Sequence, residues 1–411
     1  MDAALIPPGV KRCGFKKFII WVSFWGLVVL WGLYGLALCW GKGLNQTNMN
    51  NYYGFALWIW ADLGVIALGA GAFFSGFLRY IVGIDKLKNI INMAVVVGWL
   101  CYGSALLILG IDVGQPLRAW HIFWYPNVHS MLTEVAFCIS TYFLVLCIEY
   151  LPLVLENIQL QKNKFIHIFS HNLHEYMVIF AAVGTFLSFF HQGSLGGVPG
   201  VLYSRPFTFR EGFFVWPWTF FLFILSAIAA GPSFTLLCTW ILQKVTKRKL
   251  VKYDVLELLG KISGILLCVY LVFKSWDTLY WATYILPQKG MTITELYQGW
   301  FGPYGMWWLV AELGIFGIVP ALILICPALR KKEFWLILGA FFNCIGILIN
   351  RFVFTVVAWG IPTYPFDKWV LYSPSWQEVA TTVMPVALGV IVVSLSYRYL
   401  PVFPQERELN P

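Results

Sequence analysis

Asp62, Tyr102, Glu134 and His191 are the residues of this sequence best suited to moving protons. Each lies within or at the end of a long apolar run, where polar and ionisable groups are costly and mark function by default. Glu134 has no cation near it in sequence. A second set, Asp112, Arg118, His121, Glu312 and Arg351, is expected to bind the cofactor. Several of these sit in stretches rich in Gly and Pro: Asp112-Val-Gly-Gln-Pro116-Leu-Arg118-Ala-Trp120-His121, then His191-Gln192-Gly193-Ser194-Leu195-Gly196-Gly197, then Gly360-Ile-Pro362-Thr-Tyr364-Pro365. Such stretches read as loops after the third, fifth and ninth apolar runs, with non-helical backbone able to line a cavity. Carboxyl and imidazole groups beside a cavity suit proton transfer to a neutral redox carrier. A quinone is such a carrier: its two carbonyl oxygens need donors and its protons need a relay. Plainer readings stand beside this one. Asp112 pairs with Arg118 as a loop clasp, His121 is an interfacial histidine, Glu312 pairs with Arg351, and Lys274 pairs with Asp277 three residues on.

The elements that must position these residues are membrane helices. The chain has 411 residues, 60% hydrophobic and 11% charged, against roughly 25% charged in soluble domains. Ten segments reach the roughly 20 residues needed to cross a bilayer: 18–40, 53–82, 90–112, 130–152, 169–191, 213–242, 257–285, 304–328, 334–359 and 377–400. No long polar linker divides them, so residues 1–411 read as one polytopic all-α membrane domain. The 21 Trp, 20 Tyr and 34 Phe fit interfacial anchoring. Lys and Arg alternate between faces: 19 fall at the termini and every second loop, and 6 in the other loops. That bias expects both termini in the cytoplasm and explains the net charge of +9 without nucleic acid. The run Lys244, Lys247, Arg248, Lys249, Lys252 reads as an anchor touching anionic membrane lipid. Lys11, Arg12, Lys16 and Lys17 lead into the first run with no small-residue cleavage site, so no cleavable signal is expected. With this polarity the intramembrane charges concentrate towards the outer face.

Gly54-Phe-Ala-Leu-Trp58-Ile-Trp60 and Gly212-Phe-Phe-Val-Trp216-Pro-Trp218 open the second and sixth segments at the same face, the mark of a parallel repeat of four helices per unit. The nine cysteines form no C-x-x-C pair, which argues against an iron–sulfur cluster in this chain. His167, His171 and His174 share a helix face but read as interfacial, and no metal is expected. His174 and His191 stand about 25 Å apart on one helix, so no pair is placed for haem.

These motifs resemble the NrfD/PsrC family of quinone-interacting membrane subunits, in particular its ten-helix branch with the HybB, Hmc-type and DsrP subunits. The residues that carry the resemblance are Gly54 to Gly71 with Asp62, the D-x-G-x-P-x-R-x-W-H run from Asp112 to His121 with Tyr125-Pro126-Asn127, Glu134, and His191-Gln192-x-Ser194-Leu195-Gly196. The resemblance implies two four-helix bundles, 53–191 and 213–359, with flanking helices. It implies a menaquinone or related quinone near the outer face, lined by Asp62, Tyr102, Glu134 and His191. It further implies a ferredoxin-like iron–sulfur subunit docked outside within a multi-subunit redox complex. The outer connections 113–129, 192–212 and 360–376 are the docking surface expected for it, and the sequence leans towards the sulfite-reduction-associated assembly. The competing classes are a proton-coupled secondary transporter, which would place polar groups near the midplane, and a purely structural anchor.

Overall fold

The computed structural model describes residues 3–54, 56–202, 207–210, 212–213, 216–362 and 368–410. Arg205, Tyr364 and Pro365, and parts of the two aromatic repeat motifs (Phe55, Phe214, Val215), lie outside the described residues. Among the described residues, ten helices are long and apolar enough to cross a membrane: α1 Phe15–Lys42, α2 Leu57–Ile81, α3 Ile91–Asp112, α4 Met131–Leu155, α5 Met177–Gly200, α6 Trp218–Thr246, α7 Tyr253–Gln288, α8 Trp307–Ile325, α9 Glu333–Val357 and α10 Trp376–Tyr399. Helices satisfy their own backbone hydrogen bonds, which hydrocarbon cannot do for them. Their ends carry local signals. Gly43 closes α1 at φ 91°, and Lys247 closes α6 in the left-handed region. A Ser375–Glu378 capping box opens α10.

Helices α2 to α5 pack on one another, and α6 to α9 do the same. The two groups meet where α6 lies against α2 and α5, and one buried core runs through both, from Ile66, Tyr102 and Tyr142 to Leu236, Leu256 and Leu336. Gly71 and Gly231 mark the tightest crossing. A Cβ on either would collide with the backbone of the other, so α2 and α6 touch main chain to main chain. Helices α1 and α10 form a pair laid against α3 and α2.

The fifth helix differs from expectation. It starts at Met177, after a separate amphipathic helix Lys164–Glu175, and runs on to Gly200. The stretch His191 to Gly197 is therefore helix, and the glycines serve packing. A Cβ at Gly193 would strike the Phe220 ring, and one at Gly196 would strike Phe223 and the Thr219 carbonyl. His191 thus lies about 13 Å inside the end of α5, and does not close it.

Candidate functional site

Three helices bring polar groups together inside the first group. Asp62 stands in the second turn of α2, Tyr102 ten residues before the end of α3, and Ser188, His191 and Gln192 along one stretch of α5. The Tyr102 hydroxyl and Ser188 Oγ are 2.6 Å apart. Gln192 Nε2 donates to the Ile66 carbonyl at 2.9 Å and to the Tyr102 hydroxyl at 3.3 Å. The His191 ring centre is 5.8 Å from that of Tyr102, which packs edge-on against Tyr142 at 4.5 Å. Asp62 is 1% exposed, Tyr102 and His191 0%, and Gln192 1%.

Several of these groups lack partners. Both Asp62 carboxyl oxygens, both His191 ring nitrogens and Gln192 Oε1 make no hydrogen bond; the Val135 carbonyl lies towards His191 without bonding geometry. Unpaired buried polar groups are costly. Asp112, at the last residue of α3, is an electrostatic neighbour of both Asp62 and Glu378. Glu378 is satisfied by the Asn48 and Ser375 amides and the Tyr372 hydroxyl. Among the described residues no ion pair reaches Asp62 or Asp112, so the expected clasp between Asp112 and Arg118 does not form. Glu134 is half-buried in the first turn of α4 and faces Ser194, one turn along α5 from His191. It stands between the sealed group and the surface.

A second polar group lies among α6 to α9. Arg351 donates to Asn350 Oδ1 at 2.6 Å and Ser226 Oγ at 2.9 Å, and its guanidinium lies 3.5 Å from the Phe223 ring centre. Asn350 Nδ2 donates to Glu312 Oε1 at 2.8 Å. Lys274 Nζ stands 3.8 Å from Glu312 and 3.9 Å from Asp277. Arg210 grips both Asp277 oxygens, at 2.8 and 3.2 Å. Five buried charges thus form a chain of alternating sign. Glu312 and Arg351 join through Asn350 and do not pair directly. Beside them a cavity of about 20 Å³, lined by Ser226, Tyr270, Glu312, Asn343 and Asn350, has room for a water.

The sequence of residues 43–362 matches the model of the family "Polysulphide reductase, NrfD". The chain belongs to the NrfD family. Relatives of this NrfD-family chain include the integral membrane subunit of menaquinone reductase from Nitratidesulfovibrio vulgaris, 56% identical over 411 residues, covering all of this chain and 98% of the relative. A selenate reductase subunit from Mesobacillus selenatarsenatis is 22% identical over 96% of both chains. The probable Ni/Fe-hydrogenase 2 b-type cytochrome subunit of Escherichia coli is 23% identical over 89% of this chain and 88% of the relative.

Of the residues singled out in the sequence, the fold of this NrfD-family chain gathers Asp62, Tyr102 and His191, sets Asp112 and Glu134 at the edge of that group, and places Glu312 and Arg351 in the second. Arg118 and His121 stay exposed in the connection after α3, where His121 stacks on Trp120 at 4.0 Å. Sequence reasoning missed Ser188 and Asn350. Each lies within three residues of a residue already chosen, His191 and Arg351, which was the only signal at hand. Among the described residues no three His, Cys, Asp or Glu side chains gather as metal ligands.

Proposed function

We propose that this protein is the quinone-interacting membrane subunit of a multi-subunit respiratory redox complex. The observation that carries the reading is the set of buried, partnerless titratable groups around Tyr102, namely Asp62 and His191. Their orphaned donors and acceptors suit the two oxygens of a quinone, and 53–191 is read as the bundle that holds it. A bound menaquinone would supply the two-electron, two-proton chemistry. The protein's part is to hold the ring oxygens through Tyr102 and His191 and to pass protons between Asp62, His191 and the half-exposed Glu134. Asp112 stands at the outer rim of the same group. The relative named for menaquinone reductase supports that assembly over the sulfite-reduction-type one.

Electrons would come from or go to an iron–sulfur subunit on the outer face. Exposed Leu117, Trp120, Trp124, Tyr125 and Val128 in the connection 113–129 support docking there, because a contiguous exposed apolar patch marks an interaction surface. Arg118 and His121 belong to this docking surface in our reading. The docking segment 192–212 shortens to 201–212, since its first nine residues are helix.

The experiment is quinone-dependent turnover in membranes, with complex abundance measured alongside. Glu134→Gln keeps the shape and removes the titrating proton, so turnover should fall at least tenfold while assembly persists. His191→Ala should do the same or raise KM for quinone, and His171→Ala in the separate amphipathic helix should be silent. Wild-type turnover in assembled Glu134→Gln and His191→Ala complexes would leave a structural anchor as the better reading.

A further inference from the structure

A cleft of 770 Å³ runs between the α1–α10 pair and the face formed by α2, α3 and α6. Along α3 it extends from Met93 to Ile108, about 22 Å. Its walls are apolar, with Leu68, Val97, Phe234, Leu242, Val390 and Val393 facing one another across it. Gly389 on α10 also lines it, and a Cβ there would meet nothing within 4 Å. The α10 backbone is bare at the cavity wall although no helix approaches closely enough to require a glycine.

The two ends differ in charge. Lys11, Arg12, Lys17, Arg248 and Arg398 gather at one mouth. Arg12 and Arg248 share a single acid, Glu406, at 2.8 and 3.9 Å. Lys11 and Lys17 are exposed and, among the described residues, pair with no carboxylate. The far end holds Trp60, Ala61, Ser104 and Thr382, with no cation. An occupant that fits is long, apolar along most of its length and negatively charged at one end only. A quinone offers nothing to five cations, and a zwitterionic lipid would set its own cation among them. Basic pockets between membrane helices suit anionic headgroups.

We propose that this cleft holds one anionic phospholipid, with its phosphate at Lys11, Lys17 and Arg248 and an acyl chain running past Gly389 between α10 and α3. The lipid fills the space that separates the α1–α10 pair from the core and fixes that pair in place. The proposal does not depend on the quinone reading.

The test uses the full-length chain, purified in mild detergent, with bound lipid identified by mass spectrometry. Wild type should keep about one phosphatidylglycerol or cardiolipin per chain through extended washing. Lys11→Gln with Lys17→Gln should lower that amount at least fivefold. Gly389→Phe should lower it equally with every charge intact, and Gly389→Ala should leave it unchanged. Phosphatidylglycerol added back to stripped wild type should raise Tm by several degrees, and phosphatidylcholine should not. Retention of anionic lipid in both the charge and the Gly389→Phe variants would overturn the proposal. So would equal stabilisation by the two lipids, or labelling of the cleft by a photoreactive quinone that phosphatidylglycerol does not displace.

Discussion

Tyr102 ties α3 to α5, because its hydroxyl bonds Ser188 and receives Gln192. Tyr102→Phe removes only that oxygen. Quinone-linked turnover in the assembled complex should fall about 10²-fold or more, since one positioned proton donor typically contributes about 10²–10⁴. Unchanged turnover would put Tyr102 outside the chemistry. A second residue-scale prediction concerns His174, outside the membrane spans. Its Nε2 lies 2.7 Å from Glu156 Oε1, and the hydrogen bond with the Glu156 charge raises its pKa above the ordinary value, against desolvation. The stabilisation from this pair is complete below about pH 6.5 and is lost as pH rises through the raised folded-state value. A histidine NMR titration should show His174 titrating high, and Glu156→Gln should bring it down. At this scale the sequence was informative where a titratable side chain interrupts an apolar run, as with Asp62 and His191. It was uninformative for Ser188, since serine is unremarkable in a membrane helix until its neighbour is known. Arg118 and His121 looked like site residues because motif density cannot distinguish a cavity wall from an exposed turn.

The helices themselves were legible to within a few residues, except where packing overrides composition. Gly193, Gly196 and Gly197 look like loop residues, yet α5 continues through them because α6 and α4 press against that face. The second polar group was harder still. π-Helical turns at Trp281–Ile285, Ala311–Ile318 and Val353–Val357 interrupt α7, α8 and α9. Each wider turn shifts the face on which later residues fall, so regular 3.6-residue spacing loses register in α7, α8 and α9 beyond these turns. Such turns collect at functional positions; these three lie within or next to the charged chain, and a fourth, Phe77–Ile81, ends α2. Within that chain the Asp277–Arg210 pair is bidentate and buried. Asp277→Asn leaves Arg210 as an uncompensated buried cation, which should cost about 3–5 kcal/mol. Thermal unfolding in micelles should show a marked drop in Tm, and a wild-type Tm would mean that the Phe207 and Phe209 carbonyls alone hold the guanidinium.

For the whole molecule, the bias of 19 Lys and Arg to 6 predicts an orientation that labelling can check. Single cysteines at residue 5 and in the 244–252 connection should react with an impermeant thiol reagent only from the cytoplasmic side. Reaction from outside would invert the topology and move the proposed quinone group to the other face. The ten-helix count could be read from composition because bilayer thickness fixes segment length, whereas the way α6 is shared between the two groups depends on Gly71 and Gly231, which no hydropathy profile reports. That bare crossing also limits how the protein can work. A carrier that ferries solute must part its halves and close them again, with side chains sliding past one another at the seam. At Gly71 and Gly231 the two main chains are in direct contact, and parting them would give up that close packing. A crossing that stays shut through every cycle would suit the proposed traffic in electrons and protons better than the rocking of a solute carrier.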